Sequence, residues 1–305
     1  MKIILAGVTG FIGKPLVEQL LKSGHNLYIL TRDPARLPWS ASERRHALQW
    51  DAERQGSWAK AVDGADAVIN MAGEPIAEKR WVPAQKEKLL RSRINATRAI
   101  AGAIHAAKIK PKVLINASAV GYYGPVESGD VTEAAACGQG FLAGLCEAWE
   151  RETLGLEAVG VRVVLLRIGI VLEKGGGAFA KMELPFKMFA GGPLGSGKQW
   201  FPWIHRDDIV GLIQYALENN AVSGPVNAAA PNPVTMAEFC AALGREMGRP
   251  SWAPVPAFVL KLLLGEMSEM LLTGQKAVPQ KALAMGYVFK YPKVEEALKD
   301  IVSLS

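Results

Sequence analysis

Cysteine is scarce in this chain. Three cysteines occur, at Cys137, Cys146 and Cys240, and none falls in a CxxC pair. This usage offers no metal framework and suits a reducing compartment. Long apolar runs are also missing, because the longest, Ala257–Leu264, contains a lysine and is far shorter than the roughly 20 residues that span a bilayer. The first apolar run, Ile3–Ala6, is too short for a secretory signal. We therefore expect a cytoplasmic protein with no membrane partner and no metal site.

Extended runs of like charge are absent too. The chain carries 35 Lys and Arg against 29 Asp and Glu, a net charge of +6, but no basic run exceeds Arg44-Arg45. Scattered cations of this kind indicate a solvated surface and an anionic small ligand, and they argue against nucleic acid as a partner. Hydrophobic residues make up 50% of the 305 residues, which supports one large domain or two modest ones. The oligomeric state is left open by this composition.

The stretch Lys2–Gly13 carries the strongest functional signal. A short apolar run ends at Gly7, Gly10 and Gly13 follow at intervals of three residues, and the apolar residues after them recur with helical spacing. A strand, a tight turn and a helix start in this order favour dinucleotide binding, because the backbone can approach a pyrophosphate at the helix N-terminus. The predicted pyrophosphate cradle is Gly7, Thr9, Gly10, Phe11, Ile12 and Gly13. The alternative is a glycine-rich turn without a ligand.

The end of the second predicted strand, Asn26–Thr31, bears on the choice of cofactor. Arg32 follows this strand directly and Asp33 comes one residue later. An acidic residue at this point binds the 2′-hydroxyl of NAD, whereas an arginine suits the 2′-phosphate of NADP. We therefore predict NADP(H) in preference to NAD(H), with Arg32 on the 2′-phosphate. The alternative is that Arg32 is a surface residue in a turn ending at Pro34.

Further cofactor contacts are predicted where other strands end. Asp51 closes the third predicted strand and is expected beside the adenine, and small residues follow the fourth strand where a ribose approaches. The remaining predicted contacts are Ala72, Gly73 and Glu74 at the inner ribose, Arg93 on a long helix over residues 85–107, and Ser118 at the end of the fifth strand.

Strands alternate with helices through about residue 170, which predicts a parallel sheet covered on both faces. After Leu172 the chain becomes rich in glycine and proline. We predict a doubly wound α/β domain over 1–172 plus about 203–228, and a smaller, mostly helical lobe over 173–202 and 229–305. His205 is expected to be structural, and Asp208 is expected to cap the helix that follows it.

Several motifs together resemble the extended short-chain dehydrogenase/reductases. They are Gly7-x-x-Gly10-x-x-Gly13, Asn70-Met-Ala-Gly73 and Ser118-x-x-Gly-Tyr-Tyr-Gly124. Other motifs resemble an atypical subgroup of "epimerase family", or cell-division-inhibitor-like, proteins that ends in a domain of unknown function. These are Ala72-Gly-Glu-Pro-Ile76, Lys79-Arg-Trp81, Ser92-Arg93, Gly191-Gly-Pro-x-Gly-Ser-Gly197, Trp203-Ile-His205, Gly274–Gln280 and Gly286-Tyr287. The resemblance covers nearly the whole chain and implies a Rossmann-type fold with a nicotinamide cofactor.

The resemblance also implies a catalytic tyrosine with a lysine four residues later, since a nearby cation lowers the phenol's pKa from about 10 and makes it a general base. The corresponding positions here are Phe141 and Leu145, and none of the six tyrosines has a lysine four residues on. The resemblance assigns the substrate oxygen to Ser118, and Tyr122 and Tyr123 are the candidates for proton transfer.

The absence of this tyrosine and lysine leaves two functions open. One is an NADP(H)-dependent oxidoreductase or epimerase-like enzyme for a small organic substrate, which would occupy a cleft rimmed by Trp81, Trp200 and Trp203. In that enzyme Lys79, Arg80 or Arg93 would supply positive charge, and Glu74 is a further acid or base. The other is a non-catalytic NADP(H) sensor or scaffold, in which the adjacent tyrosines only pack against their neighbours.

Overall fold

The computed structural model describes residues 1–37, 39 and 42–303. The strands in this part are β1 Lys2–Ala6, β2 Asn26–Thr31, β3 Arg45–Gln49, β4 Ala67–Asn70, β5 Val113–Ala119, β6 Asp130–Val131, β7 Arg162–Ile168, β8 Ile170–Leu172, β9 Trp200–Phe201, β10 Trp203–His205, β11 Gly224–Ala228, β12 Val234–Thr235 and β13 Lys276–Ala277. The α-helices are α1 Gly13–Lys22, α2 Pro83–Ala106, α3 Phe141–Arg151, α4 Gly177–Lys187, α5 Arg206–Glu218, α6 Met236–Met247, α7 Ala257–Leu264, α8 Glu269–Leu272, α9 Gln280–Ala284 and α10 Val294–Ser303.

Seven strands form one parallel sheet in the order β11-β7-β5-β4-β1-β2-β3. The chain leaves β1 in one direction towards β2 and β3 and returns on its other side with β4, so the strand order reverses at β1. In the register, Ala6 lies beside both Leu30 and Asn70. The carboxyl ends of these central strands therefore meet at one edge, where ligands bind in open α/β sheets.

Each face of the sheet carries its own apolar core. On one face α1 contributes Leu16 and Leu20 and α5 contributes Ile213, all fully buried. On the other face α2 contributes Ile100 and Ile104. The strands are near-continuous apolar runs because both of their faces are covered. The predicted Rossmann-type, doubly wound α/β fold is confirmed.

A separate core holds the smaller lobe together. It joins Phe179 of α4, Trp203 of β10, Phe239 of α6 and Leu298 of α10, and all four are buried. The predicted helical C-terminal lobe is thus confirmed, while its residue boundaries stay a prediction. Trp203 and Trp81 were expected on the rim of a cleft and that expectation is wrong for both, because the two residues are only 1% and 6% exposed within apolar clusters. No helix among residues 1–37 and 42–303 is long and apolar enough to cross a membrane.

The start of α5 differs from its sequence expectation. His205, not Asp208, is the N-cap residue, and its Nδ1 accepts the N–H of Asp207 at 3.1 Å. The Asp208 carboxylate instead accepts the N–H groups of Lys290 and Tyr291, at 2.6 and 3.0 Å. The predicted cap was wrong because a contact over 80 residues away in sequence takes this carboxylate. His205 has the structural role that was expected of it.

Burial controls the protonation of His205. The ring is fully buried, and this burial lowers the pKa of His205 to about 4 even though Asp300 Oδ2 lies 3.5 Å from Nε2. An unfolded histidine titrates near 6.5. Above this pH His205 is neutral in both the folded and the unfolded chain, so it does not change the free energy of unfolding. As the pH falls from 6.5 towards 4, the unfolded chain binds a proton that the folded chain does not, and stability is lost.

We expect this loss to be removed in His205→Asn, which keeps a good N-cap but cannot titrate. Between pH 7 and pH 5 the free energy of unfolding of the unmodified chain should fall by about 2 kcal/mol more than that of the variant. Urea unfolding at the two pH values measures both differences. Equal pH dependence in the two proteins would show that folding does not shift the pKa of His205.

Candidate functional site

The glycine turn lies between β1 and α1, and its three glycines differ in their surroundings. Gly7 has a φ of +72°, and a Cβ on it would lie 2.4 Å from the backbone N of Ala72. A Cβ on Gly13 would lie 2.1 Å from the Cα of Val8. Both glycines therefore allow close packing of backbone on backbone. Gly10 has no atom within 4 Å of such a Cβ, so open space lies over the middle of the turn.

The helix that follows the turn has no side-chain cap, although the Lys14 N–H donates to the Gly10 carbonyl at 3.1 Å. Ile12 is the N-cap residue of α1 and makes no side-chain capping bond. Thr9 and Gly10 are exposed, and Phe11 and Ile12 are half-buried. Uncapped N–H groups at a helix N-terminus attract anions, and a glycine that faces open space lets a pyrophosphate approach. The residues present fit a dinucleotide.

Phe11 is covered by the glycine-rich segment that follows Leu172. A Cβ on Gly176 would lie 2.4 Å from the Phe11 ring, so only a glycine allows this contact. The buried carboxylate of Glu173 forms an ion pair with Arg206 at 2.7 Å, and that guanidinium lies 5.9 Å from the Phe11 ring centroid. The segment over residues 173–177 therefore encloses one side of the turn.

Arg32 and Asp33, the two residues considered for the adenine ribose at the end of β2, differ in the bonds that they make. Asp33 accepts the N–H of Ala35 at 3.0 Å and pairs with Arg36 at 3.2 Å, so its carboxylate is committed to the turn that follows. Arg32 is exposed at the same edge of the sheet. Asp33 is exposed as well, so what distinguishes it is that its carboxylate already bonds to the following turn.

Asp51 and Glu74 are also engaged with protein groups. Asp51 follows β3 and accepts the N–H groups of Glu53 and Arg54 at 2.8 and 2.9 Å. These bonds, that of Arg54 first, lower the pKa of Asp51 below its usual range. Glu74 pairs with Lys88 at 2.6 Å. Their carboxylates are fixed in place, and a contact of either with a cofactor stays a prediction.

The end of β4 is held by buried amides. Asn70 accepts the N–H of Ala72 at 3.1 Å and donates to Asn116 of β5 at 2.7 Å. These bonds fix the backbone that leads into Gly73, which is exposed. The guanidinium of Arg93 on α2 lies against Gly73, with Cζ 3.1 Å from where a Cβ would be.

Arg93 is a partly buried cation, and few of its neighbours offset its charge. Its Nη1 donates to the Leu89 carbonyl at 3.0 Å, and its guanidinium lies 5.1 Å from the Trp149 ring centroid. Within the described ranges no carboxylate forms an ion pair with it. Burial lowers the pKa of Arg93 below its usual value. A guanidinium with unused donors beside an exposed glycine is suited to bind an anion or a ribose oxygen.

Ser118 belongs to a buried polar network that sequence reasoning missed. Its Oγ donates to Glu150 Oε1 at 2.6 Å, and Arg167 donates to both oxygens of the same carboxylate at 2.9 Å. Glu150 lies on α3 and Arg167 on β7, and both are less than one-tenth exposed. The available signal was an arginine inside the otherwise apolar run Val163–Ile168. Because its proton is held by Glu150, Ser118 presents lone pairs to any ligand.

The two adjacent tyrosines take different places around Arg167. The Tyr123 hydroxyl accepts from Arg167 at 3.0 Å and donates to Asn227 at 2.6 Å, and the residue is buried. The ring of Tyr122 is half-buried, with its centroid 3.5 Å from the Arg167 guanidinium carbon. Burial raises the pKa of both phenols, and the charge of Arg167 opposes this rise. Of the pair, Tyr122 has the greater access to a ligand.

An apolar cluster fills the place of the missing tyrosine and lysine. Phe141 begins α3 and packs edge-on against Trp81, with ring centroids 5.1 Å apart, and Leu145 is buried in the same cluster. Met267 packs into this cluster from the smaller lobe. Lys86 of α2 lies over this cluster, with its Nζ 4.8 Å from the Phe141 ring centroid. The side chains at these two positions have no proton to exchange.

Comparison with known proteins gives the family. The sequence profile of the NAD dependent epimerase/dehydratase family matches residues 3–166, more than half of the chain. The chain belongs to this family. A profile for a C-terminal domain of unknown function, DUF1731, matches residues 255–301. This second match confirms the narrower resemblance to the epimerase family proteins.

Relatives cover nearly the whole chain. The chloroplastic epimerase family protein SDR39U1 homolog of Arabidopsis thaliana is 44% identical, over 99% of this chain and 87% of that protein. Epimerase family protein YfhF of Bacillus subtilis (strain 168) is 41% identical, over 99% and 98%. The crystal structure of human epimerase family protein SDR39U1 (isoform 2) with NADPH has a TM-score of 0.90 at 36% identity, over 99% of each chain. Because one relative is chloroplastic, the compartment differs within the family.

The contrast between Gly10 and Gly13 is open to a direct test. Gly10→Val should fold normally, since nothing lies within 4 Å, but should weaken NADPH binding at least about tenfold by filling the space over the turn. Gly13→Val should instead destabilise the fold, because its Cβ meets backbone at 2.1 Å. Thermal melting and calorimetric titration measure the two effects.

Gly144→Val is the matched control, because Gly144 also has nothing within 4 Å but lies on α3 away from the turn. It should melt and bind NADPH as the unmodified chain does. If Gly10→Val binds NADPH with unchanged affinity, the space over the turn does not hold the pyrophosphate.

Proposed function

We propose that the chain binds NADP(H) along the carboxyl edge of the sheet. The observation that carries this proposal is the open turn at Gly10, with Arg32 exposed at the neighbouring strand end and Asp33 already committed. The NADPH in the human relative supports the same choice of cofactor. In this proposal the turn binds the pyrophosphate, Arg32 the 2′-phosphate, Asp51 the adenine, and Ala72 to Glu74 the inner ribose, with Arg93 as a donor beside Gly73.

We further propose an oxidoreductase or epimerase-like reaction on a small organic substrate. Bound NADP(H) would supply or accept a hydride at its nicotinamide. Ser118 orients the substrate oxygen, and its lone pairs favour a substrate hydroxyl that donates to it. Tyr122 moves the proton, with Arg167 in place of the lysine of the wider family, because that cation favours the phenolate. The family match supports this class of chemistry.

A second candidate function is a non-catalytic NADP(H) sensor. It is favoured by one observation, the apolar cluster of Phe141, Leu145 and Trp81 at the place where the wider family has its proton-transfer pair. In a sensor the buried network around Arg167 serves only to hold α3 against β7. Cofactor binding is common to both functions, and turnover separates them.

The cofactor preference is tested by titrating the chain with NADPH and NADH in a calorimeter. We expect NADPH to bind more tightly than NADH, and Arg32→Ala to weaken NADPH binding by about 10- to 100-fold while leaving NADH unchanged, since a charge-assisted bond to the phosphate is lost. Arg151→Ala removes an exposed arginine that pairs with Glu147 at the end of α3 and is the matched control. Equal loss of both nucleotides in Arg32→Ala contradicts the assignment.

Turnover is tested by NADPH oxidation against a panel of small aldehydes and ketones. For an enzyme of the proposed kind, Ser118→Ala and Tyr122→Phe should each lower the rate by about 100-fold or more, and Tyr122→Phe should leave the NADPH affinity unchanged. Tyr28→Phe, on β2 three strands along the sheet from β5, should be silent. The sensor is supported if the chain binds NADPH tightly but oxidises it with no aldehyde or ketone of the panel. It must then also fail to reduce NADP+ with a panel of alcohols.

A further inference from the structure

The smaller lobe sends one short segment into the candidate site. This segment comprises residues 274–278, between α8 and α9, and it lies inside the domain of unknown function. Its strand β13 pairs in parallel with β6. A Cβ on Gly274 would lie 1.9 Å from the Trp200 carbonyl oxygen, so only a glycine lets the segment pass this close. Neither of the two proposed functions gives this segment a role.

The 274–278 segment bonds to the helical turn Val120–Tyr123, which carries Tyr122. Gln275 is buried, and its side-chain Nε2 donates to the Val120 carbonyl at 2.5 Å. Val120 follows Ser118 by two residues and precedes Tyr122 by two. Ser118 is held in the sheet by the pairing of β5 with β7, but the turn lies beyond the end of β5. The position of the turn therefore depends on its contacts with other segments.

The same segment also supports the neighbouring tyrosine. The Tyr123 hydroxyl donates to Asn227 Oδ1 at 2.6 Å, and Asn227 Nδ2 donates to the Val278 carbonyl at 2.9 Å. Val120, Tyr123 and Ala277 are buried in one apolar cluster. Two side-chain amides thus connect the segment to the turn, one at Val120 and one at Tyr123.

The contact of Tyr122 with Arg167 depends on where this turn lies. The Tyr122 ring centroid is 3.5 Å from the guanidinium carbon, and the guanidinium is fixed by its buried ion pair with Glu150. A shift of the turn would therefore move the ring off the cation. A displacement of about 1 Å can lower a reaction rate by about 100-fold, even when its cause lies far from the reacting atoms.

We propose that Gln275 is a positioning residue, which holds the turn through the Val120 carbonyl and so keeps the Tyr122 ring on the Arg167 guanidinium. Its effect on rate rests on the proposed proton transfer by Tyr122, whereas its effect on the place of the ring does not. The domain of unknown function thereby has a role in this chain, because its 274–278 segment completes the candidate site.

The test is fluorine NMR of the nucleotide-free chain labelled with fluorotyrosine, in which Tyr122→Phe identifies the Tyr122 resonance. Gln275→Met keeps the length of the side chain but removes the donor. We expect it to displace the Tyr122 resonance and to leave that of Tyr28, on β2, unchanged. If the chain oxidises NADPH with a carbonyl compound, kcat should fall about tenfold or more in this variant, with KM within about twofold, since substrate binding is not disturbed.

The matched control is Gln199→Met. The Gln199 Nε2 also donates to backbone carbonyls within the smaller lobe, those of Leu194 and Leu271 at 2.9 and 2.7 Å. This control should leave the Tyr122 resonance and kcat unchanged. Thermal melting shows whether each variant is folded. If Gln275→Met does not fold, Gln275→Asn takes its place, because its amide is one carbon too short to reach the Val120 carbonyl.

The proposal is overturned if the folded Gln275 variant has the Tyr122 resonance of the unmodified chain, since Gln275 then only stabilises the lobe. It is also overturned if Gln199→Met displaces this resonance equally, because the displacement then reflects a general loosening of the lobe. A chain that oxidises NADPH with no carbonyl compound contradicts the proposed reaction alone. A displaced Tyr122 resonance in the Gln275 variant would still support the placement of the ring by Gln275.

Discussion

The parallel pairing of β1 with β2 and β4 is the constraint on which the candidate site depends. It brings Ala6, Leu30 and Asn70 level with one another, so the three loops that follow leave the sheet at one edge. Residues distant in sequence, such as Gly10 and Arg32, thereby face the same space. The close packing of Gly7 on Ala72 holds two of these loops together, which is why a side chain at Gly7 is not compatible with the fold.

The second constraint is the buried ion pair of Arg167 and Glu150. Removing one partner of such a pair commonly costs about 3–5 kcal/mol, because the other charge is left buried without compensation. This pair also directs the proton of Ser118 and places a cation on the ring of Tyr122. One arginine inside a strand therefore holds the carboxylate that binds the Ser118 hydroxyl and also lies against the Tyr122 ring.

The sequence was sufficient for the fold and for the turn. Apolar runs punctuated by glycine predicted the sheet, and the spacing from Gly7 to Gly13 predicted the strand–turn–helix unit, because both are local patterns. The sequence was insufficient where contacts between residues distant in sequence determine the role of a side chain. The role of Asp208 depends on backbone 82 and 83 residues away, and the cover over Phe11 depends on Gly176. The position of Trp203 was predicted wrongly because an aromatic-rich segment has the same sequence pattern in a buried core and on the rim of a cleft.

The network around Ser118 could not be predicted for a similar reason. Glu150 and Arg167 lie on different elements, and neither belongs to a motif with a fixed spacing, so only the packing of α3 against β5 and β7 brings them together. The absence of a tyrosine and lysine at positions 141 and 145 was visible in the sequence. The stacking of Arg167 on Tyr122 was not visible there, since it depends on tertiary structure.

The most direct measurement of the central claim is a crystal structure of the chain grown with NADPH. The account predicts density for the pyrophosphate over Gly10, with an oxygen about 3 Å from the backbone N–H of Phe11 or Ile12, and for the 2′-phosphate beside the Arg32 guanidinium. Density for the nucleotide at another edge of the sheet, or a 2′-phosphate turned away from Arg32, would contradict the account.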